Sequence, residues 1–280
     1  MRTEHDSIGS INLPDDAYYG VQSMRAKENF PMTGRLMHPY MVDSLVIIKK
    51  AAAMANQRAG VLKPEIASAI IRACDEILGG RLRDQFVVDP IQGGAGTSAN
   101  MNANEVIANR ATEILGGQKG EALVHPNDHV NMAQSTNDVF PSAGKLTAIR
   151  LTGELLEALD RLIASLERKA EEYAHVIKLG RTQLQDAVPM FAGQEFKAHA
   201  HALRRCSMRI LRSRNELFEL NLGATAIGTS INATQGYLDC VVDILADLVG
   251  QPLKQADDLI DATQNPDGFA AISGSVKSCG

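Results

Sequence analysis

The chain of 280 residues, 45% hydrophobic and 22% charged, is long enough for one large or two ordinary domains with a buried core. A net charge of −5 and a pI near 5.8, with no basic stripe interleaved with aromatics, argue against a nucleic-acid partner. The charged start Met1–Asp6, the lack of any apolar run near the ~20 residues that span a bilayer, and the wide spacing of Cys74, Cys206, Cys240 and Cys279 predict a cytoplasmic protein with reduced thiols, no membrane contact and no cysteine-held metal.

In chain order, residues 8–30 are broken by Gly9, Pro14 and Gly20 and carry Tyr18 and Tyr19, a pattern that predicts an extended arm. Arg25 on that arm reads as a carboxylate ligand or as a solvated surface charge. Residues 39–59, with Val42, Leu45, Val46, Ile48 and a run of alanines, predict a helix, and 64–78 predict a second, stopped by Gly79 and Gly80.

Gln92 to Asn102 forms a polar, glycine-rich stretch whose glycines let backbone approach a ligand closely. A helix is predicted to start near Asn102 with Glu105 completing a capping box, which puts Thr97 and Ser98 just ahead of a positive helix end. The stretch lacks the Lys-Ser/Thr of a Walker loop and the strand and acidic partner of a dinucleotide fingerprint, and it also reads as a plain loop and cap. Ile107, Ala111, Ile114 and Leu115 give the helix its apolar face, and Gly116 and Gly117 end it.

His125 to Pro141 is dense in hydrogen-bonding side chains and almost devoid of periodic apolar residues. A helix predicted over 137–173 follows at once, with Pro141 near its first turn, so Ser135, Thr136 and Asn137 sit where unpaired N–H groups and the helix dipole favour an anion. The same three residues also suit a simple N-cap. Leu151, Leu155, Leu159, Leu162 and Leu166 recur at three- and four-residue steps, predicting a core stripe, and the helix length points to a bundle.

A third polar stretch covers Gly180 to Pro189, and Pro189 is predicted to open a helix reaching Leu220, with Phe196, Ala200, Leu203, Ile210 and Leu217 inward. His199 and His201 on it lack a metal-compatible partner three or four residues away. A glycine-rich loop, Asn221–Ser230, precedes a predicted helix over 236–249, and a last helical segment starts near Gly268.

Three loops rich in Ser, Thr, Asn and Gln, each joined to a helix, equip a chain to surround a small anion with neutral donors. With no nucleotide, metal or flavin motif beside them, the expected chemistry is cofactor-free. Removal of a proton next to a carboxylate fits, because it drives that carboxylate towards a dianion and preorganised donors are each worth roughly 3 kcal/mol in such sites.

The strings Gly93-Gly94-Ala95-Gly96-Thr97-Ser98, Gln134-Ser135-Thr136-Asn137-Asp138 and Gly180-Arg181-Thr182-Gln183-Leu184-Gln185-Asp186-Ala187 resemble, in order and separation, motifs of the aspartase/fumarase superfamily. Ala17-Tyr18-Tyr19-Gly20-Val21, Arg25-Ala26, Glu28-Asn29-Phe30 and Asn221-Leu222-Gly223-Ala224-Thr225-Ala226 are most similar to its aspartase branch. The resemblance implies a mainly α protein: a small N-terminal helical domain over 1–136, then a long-helix bundle over 137–280 that is incomplete in this chain. It further implies a homotetramer with sites built from three subunits and, without cofactor, the reversible anti elimination of ammonia from L-aspartate to give fumarate.

By the same resemblance Thr97, Ser135 and Thr136 hold the carboxylate next to the abstracted proton, Thr182 the other carboxylate, and Asn137 with Gln183 the amino group; Ser135, Thr136 and Asn137 form the catalytic cluster. Fumarases usually carry histidine at the place of Gln183, which favours ammonia over water as leaving group. His125 to Asn131 resembles an accessory anion segment of fumarases but reads here as a surface loop before it reads as a site.

Two departures stand out. The family's mobile Gly-Ser-Ser…Pro-x-Lys-x-Asn loop, whose serine is the base, has no counterpart here, since Ser273-Gly274-Ser275-Val276-Lys277-Ser278 lacks the Pro and Asn. Ser230 replaces a usual glycine. A hydratase, or a catalytically silent fragment or assembly partner, are the competing readings, and missing bundle partners predict self-association.

Overall fold

The computed structural model describes residues 1–94 and 96–280; Ala95, in the first of the family-like strings, lies outside the described residues. In chain order the structure runs β1 (Arg2–Asp6), β2 (Gly9–Leu13), α1 (Val21–Asn29), α2 (Pro39–Arg58), α3 (Pro64–Leu78), α4 (Thr97–Ile114) and α5 (Thr136–Glu172). It continues with β3 (Ile177–Thr182), β4 (Gln185–Phe191), α6 (Ala192–Asn215), β5 (Glu219–Leu220), α7 (Gln235–Leu238), α8 (Val241–Val249), β6 (Lys254–Gln255), α9 (Leu259–Gln264) and α10 (Asp267–Lys277). The protein is thus mainly α, as its sequence predicts, and among the described residues no helix is long and apolar enough to cross a membrane. All four cysteines are free, three of them buried.

Two compact units emerge: Met1–Thr147 with Phe218–Pro266, and Ala148–Leu217 with Asp267–Gly280. The sequence division at 136/137 falls elsewhere, because residues 218–266 pack with the first unit rather than with the helices around them in sequence.

The first unit is built around α2, which packs against α3 and α8. Leu45, Val46 and Ile48 of α2 are buried, and Ala51, Ala52 and Ala55 present no bulk to the neighbouring helices. The predicted extended arm is a hairpin followed by a helix. Asp6 Oδ1 accepts from the N–H of Ile8 (2.9 Å) and Gly9 (3.1 Å), closing the β1–β2 turn, and Arg25 grips the same carboxylate through Nε at 2.9 Å. Arg25 therefore holds the hairpin.

The helical turn over 21–29 escapes sequence reading because its cap comes from elsewhere. Glu105, well inside α4, accepts from the N–H of Gly20 (2.8 Å), Gln22 (2.9 Å) and Ser23 (3.1 Å) and from the Ser23 hydroxyl (2.5 Å). The carboxylate satisfies the orphan donors of α1 in place of a local cap. Glu105 is accordingly no capping-box member of its own helix, which begins at Thr97, five residues ahead of the predicted start.

In the second unit the predicted leucine core stripe is only partly core. Leu159 and Ile163 of α5 are buried, but Leu151 and Leu162 are 39% and 48% exposed. Pro189 lies within β4 and opens no helix; the Gly180–Pro189 stretch is an antiparallel β3–β4 hairpin, and α6 starts at Ala192. The close approach of α5 and α6 depends on Gly193, where a Cβ would stand 2.2 Å from the Ala170 carbonyl oxygen.

Candidate active site

The opening turn of α5 is held by a reciprocal cap. Ser135 Oγ accepts from the Asn137 N–H at 3.3 Å, and Asp138 Oδ1 accepts from the Ser135 N–H at 2.9 Å. The cap reading of the sequence is therefore true of Ser135, and it leaves the serine hydroxyl proton unspent. Thr136 repeats the pattern: its Oγ1 accepts from Asn100 Nδ2 at 3.1 Å, so the threonine proton also remains to be donated. Asn137 Nδ2 donates to the Ala226 carbonyl at 2.7 Å, which leaves Oδ1 as the group able to accept from an ammonium.

Pro141 is the sixth residue of α5, beyond its first turn, and cannot donate back to Asn137. The Asn137 carbonyl is instead taken by Asn221 Nδ2 at 3.1 Å. Asp138 is fully buried and ties the same turn to the following glycine-rich loop, accepting from the N–H of Gly223 (3.0 Å) and Thr225 (3.2 Å). Burial pushes its carboxyl up to about 6, against the lowering by those three N–H groups and by Lys49.

A second helix N-terminus lies beside this one. Thr97 is the first residue of α4, exposed, and follows Gly96 at φ +90. A Cβ on Gly96 would stand 2.3 Å from the Phe140 ring of α5, so glycine is required there by both backbone and neighbour. Gln92 caps the start of α4, its Oε1 accepting from the Ala99 N–H at 2.7 Å. Asn100 then joins the two helix ends through Thr136. Thr97, Ser135, Thr136 and Asn137 thus stand at two adjacent positive helix ends in one unit.

Thr182 and Gln183 belong to the second unit, exposed at the β3–β4 turn. Thr182 pairs with Gln185, and Gln183 and Leu184 between them take φ of +51 and +65. Those values fit a two-residue turn of the primed kind, one that favours Asn or Gly. Filling it with Gln and Leu, and leaving Leu184 94% exposed, costs stability that local packing does not return.

Sequence reading missed the layer beneath. Lys49 of α2 is fully buried, and its Nζ donates to Asn131 Oδ1 at 2.7 Å and to Gln134 Oε1 at 2.9 Å. Its signal was a lysine placed between the apolar runs Leu45–Ile48 and Ala51–Ala53 of α2. Among the described residues no group of three or more His, Cys, Asp or Glu is placed to hold a metal.

A family described as "Lyase" matches residues 9–280. An aspartate ammonia-lyase from a Bacillus species is 50% identical over 280 residues, covering 100% of this chain and 60% of the relative. The solved structure of a fumarate lyase:delta crystallin from Brucella melitensis bound to cobalt superposes with a TM-score of 0.97 at 48% identity, over 99% of this chain and 61% of that one. A class II fumarase from Schistosoma mansoni gives 0.96 at 35% identity, over 99% and 62%. The chain spans about 60% of the length of the aspartate ammonia-lyase that it matches.

Proposed function

This chain belongs to the aspartase/fumarase family of lyases, and from that premise we propose that it supplies the substrate-holding residues of an aspartate ammonia-lyase. The observation that carries the reading is the hydrogen bonding at the start of α5. Ser135 Oγ and Thr136 Oγ1 are each occupied as acceptors by protein donors, so both hydroxyl protons are left for an anion.

In this reading Thr97, Ser135 and Thr136 grip the carboxylate of L-aspartate next to the carbon that loses its proton. Charge then develops on that carboxylate, and donors already in place stabilise it without reorganising, each worth roughly 3 kcal/mol. Asn137 Oδ1 and Gln183 hold the amino group, Thr182 the second carboxylate. Breaking the carbon–nitrogen bond releases ammonia and leaves fumarate. No residue of the 280 is assigned as the proton-abstracting base. The reading includes a homo-oligomer, a tetramer by family resemblance, acting in the cytoplasm on a small dicarboxylate and without a cofactor.

The test is the ultraviolet absorbance of fumarate formed from L-aspartate, with L-malate as parallel substrate, joined to calorimetric binding of succinate as an unreactive dicarboxylate. Ser135→Ala and Thr182→Ala are expected to weaken both signals by roughly 10²–10³-fold in turnover, the loss typical of one oxyanion donor. Turnover of malate alone would move the assignment to a hydratase. Neither turnover nor succinate binding from a folded sample would sink the reading.

A further inference from the structure

Lys49 is a titratable side chain, fully buried, that the reading above does not use. Keeping an amine away from water is costly, and burial pushes Lys49 down to about 7, with the Asp138 carboxylate and the Cys74 thiol opposing that shift. A methionine would fill the same volume of α2 at no such cost. The amine is retained among atoms that belong to the site-bearing stretch.

Its two acceptors are side chains of that stretch. Gln134, held at Oε1 by Lys49, turns its own amide back to the carbonyls of Val130 (3.0 Å) and Met132 (3.1 Å), so the ammonium and the glutamine together wind residues 130–134 into a tight loop. Asn131, held at Oδ1 by Lys49, donates through Nδ2 to the Gln134 carbonyl at 3.3 Å. The same Oδ1 accepts from Asn100 Nδ2 at 3.3 Å, and the other proton of that amide goes to Thr136 Oγ1 at 3.1 Å.

The chain of bonds fixes polarity. As an ammonium, below its titration near 7, Lys49 can only donate, so Asn131 must present its oxygen inward, and that oxygen in turn requires Asn100 to present its amide nitrogen. With both protons of Asn100 directed at Asn131 and Thr136, Thr136 Oγ1 is an acceptor towards the interior and hence a donor outward. Exchange Lys49 for an apolar residue and both amides become free to flip.

We propose that Lys49 is a positioning residue of the candidate site, acting through Asn131 and Asn100 to hold the Thr136 hydroxyl as a donor towards the substrate carboxylate; this rests on the reading of Ser135 and Thr136 as carboxylate donors. Lys49 touches no reacting atom. It sets the direction of a hydroxyl that does.

The experiment compares the wild-type chain with Lys49→Met and Asn131→Leu, the second cutting the same path without altering the burial of Lys49. Hydrogen exchange followed by mass spectrometry is expected to quicken roughly tenfold over 130–137 in both variants, with 64–78 unchanged. Succinate affinity and kcat for aspartate are expected to fall by roughly 10- to 100-fold, the loss usual for an outer-layer partner, with KM moving less than kcat. Faster exchange spread evenly over 64–78 as well would mark Lys49 as merely structural and overturn the proposal. Unchanged exchange over 130–137, or both variants retaining wild-type affinity, would do the same. If the wild type neither binds succinate nor turns over aspartate, the functional reading fails by itself, and the exchange comparison still decides whether Lys49 holds the loop. Should Lys49→Met not fold, Asn131→Leu decides alone.

Discussion

Asp138 and Lys49 carry charges in one interior, and their energetics pull in different ways. Asp138 accepts from three N–H groups, those of Ser135, Gly223 and Thr225. Thr225 is a β-branched residue at φ +59, a conformation that needs support from outside the residue. Asp138→Ala orphans those donors at roughly 1–3 kcal/mol each, while relieving the desolvation of the carboxylate; a net loss of roughly 2–4 kcal/mol is expected in urea denaturation. For Lys49 the sign is opposite. Its folded-state pKa lies near 7 and its unfolded value at 10.5, so between those values the unfolded chain binds the extra proton and stability rises with pH; the contribution is complete above 10.5 and lost as pH falls through 7. The charged and titratable groups facing it are Asp138 from α5 and Cys74 from α3, the thiol itself held up by burial. The unfolding free energy of wild type minus Lys49→Met is therefore expected to climb by ~1.4 kcal/mol per pH unit between pH 8 and 9.5, where shared contributions cancel. A flat difference would mean that Lys49 titrates normally.

The sequence makes some elements legible and hides others, for reasons that lie in where each element finds its hydrogen bonds. Helix α3 is readable in full because Pro64, an amphipathic run and Gly79–Gly80 are all local signals. Helix α1 is not, because its cap is Glu105, 82–85 residues away in sequence. The β3–β4 hairpin was hidden for the opposite reason: its turn is Gln183–Leu184, residues with no preference for positive φ, so no Asn-Gly signal announced it. At the candidate site the hydroxyls of Ser135 and Thr136 were readable as residue types, whereas the Asn131–Asn100–Thr136 chain of hydrogen bonds depends on packing between α4 and the loop. Helix α5 shows how distant groups repair a local fault. Pro141 leaves the Asn137 carbonyl without an intrahelical donor, and Asn221 supplies one. Asn221→Leu is expected to cost roughly 1–3 kcal/mol and to raise KM, since Asn137 stands in the proposed amino-group site. Gly96→Ala adds strain at φ +90 and a clash with Phe140 where α4 meets α5, with an expected loss of roughly 2–4 kcal/mol in the same denaturation assay.

For the whole molecule the decisive feature is apolar surface on the second unit. Leu151 and Leu162 of α5, Met208 and Leu211 of α6, and Val188 and Leu184 of the hairpin are all at least 39% exposed. A sequence stripe at helical spacing records that a face is meant to be buried, and says nothing about which chain buries it. Here the stripe is half covered, with Leu159 and Ile163 buried, and half open. Scattered apolar side chains are ordinary on protein surfaces, but several on α5, α6 and the hairpin of one unit are the kind of surface that packs against further helices. Size-exclusion chromatography with light scattering is expected to show association at micromolar concentration, and Leu162→Lys with Met208→Lys to shift the protein towards the monomer without lowering its melting temperature, because neither residue belongs to the chain's own core. A clean monomer at all concentrations would mean that the stripe is covered from within the chain. The self-association and the candidate site are separable by the same variants. Ser135, Thr136 and Asn137 lie in the first unit, so loss of succinate binding in Leu162→Lys with Met208→Lys would tie the site to assembly, and unchanged binding would show that the start of α5 holds the carboxylate within a single chain.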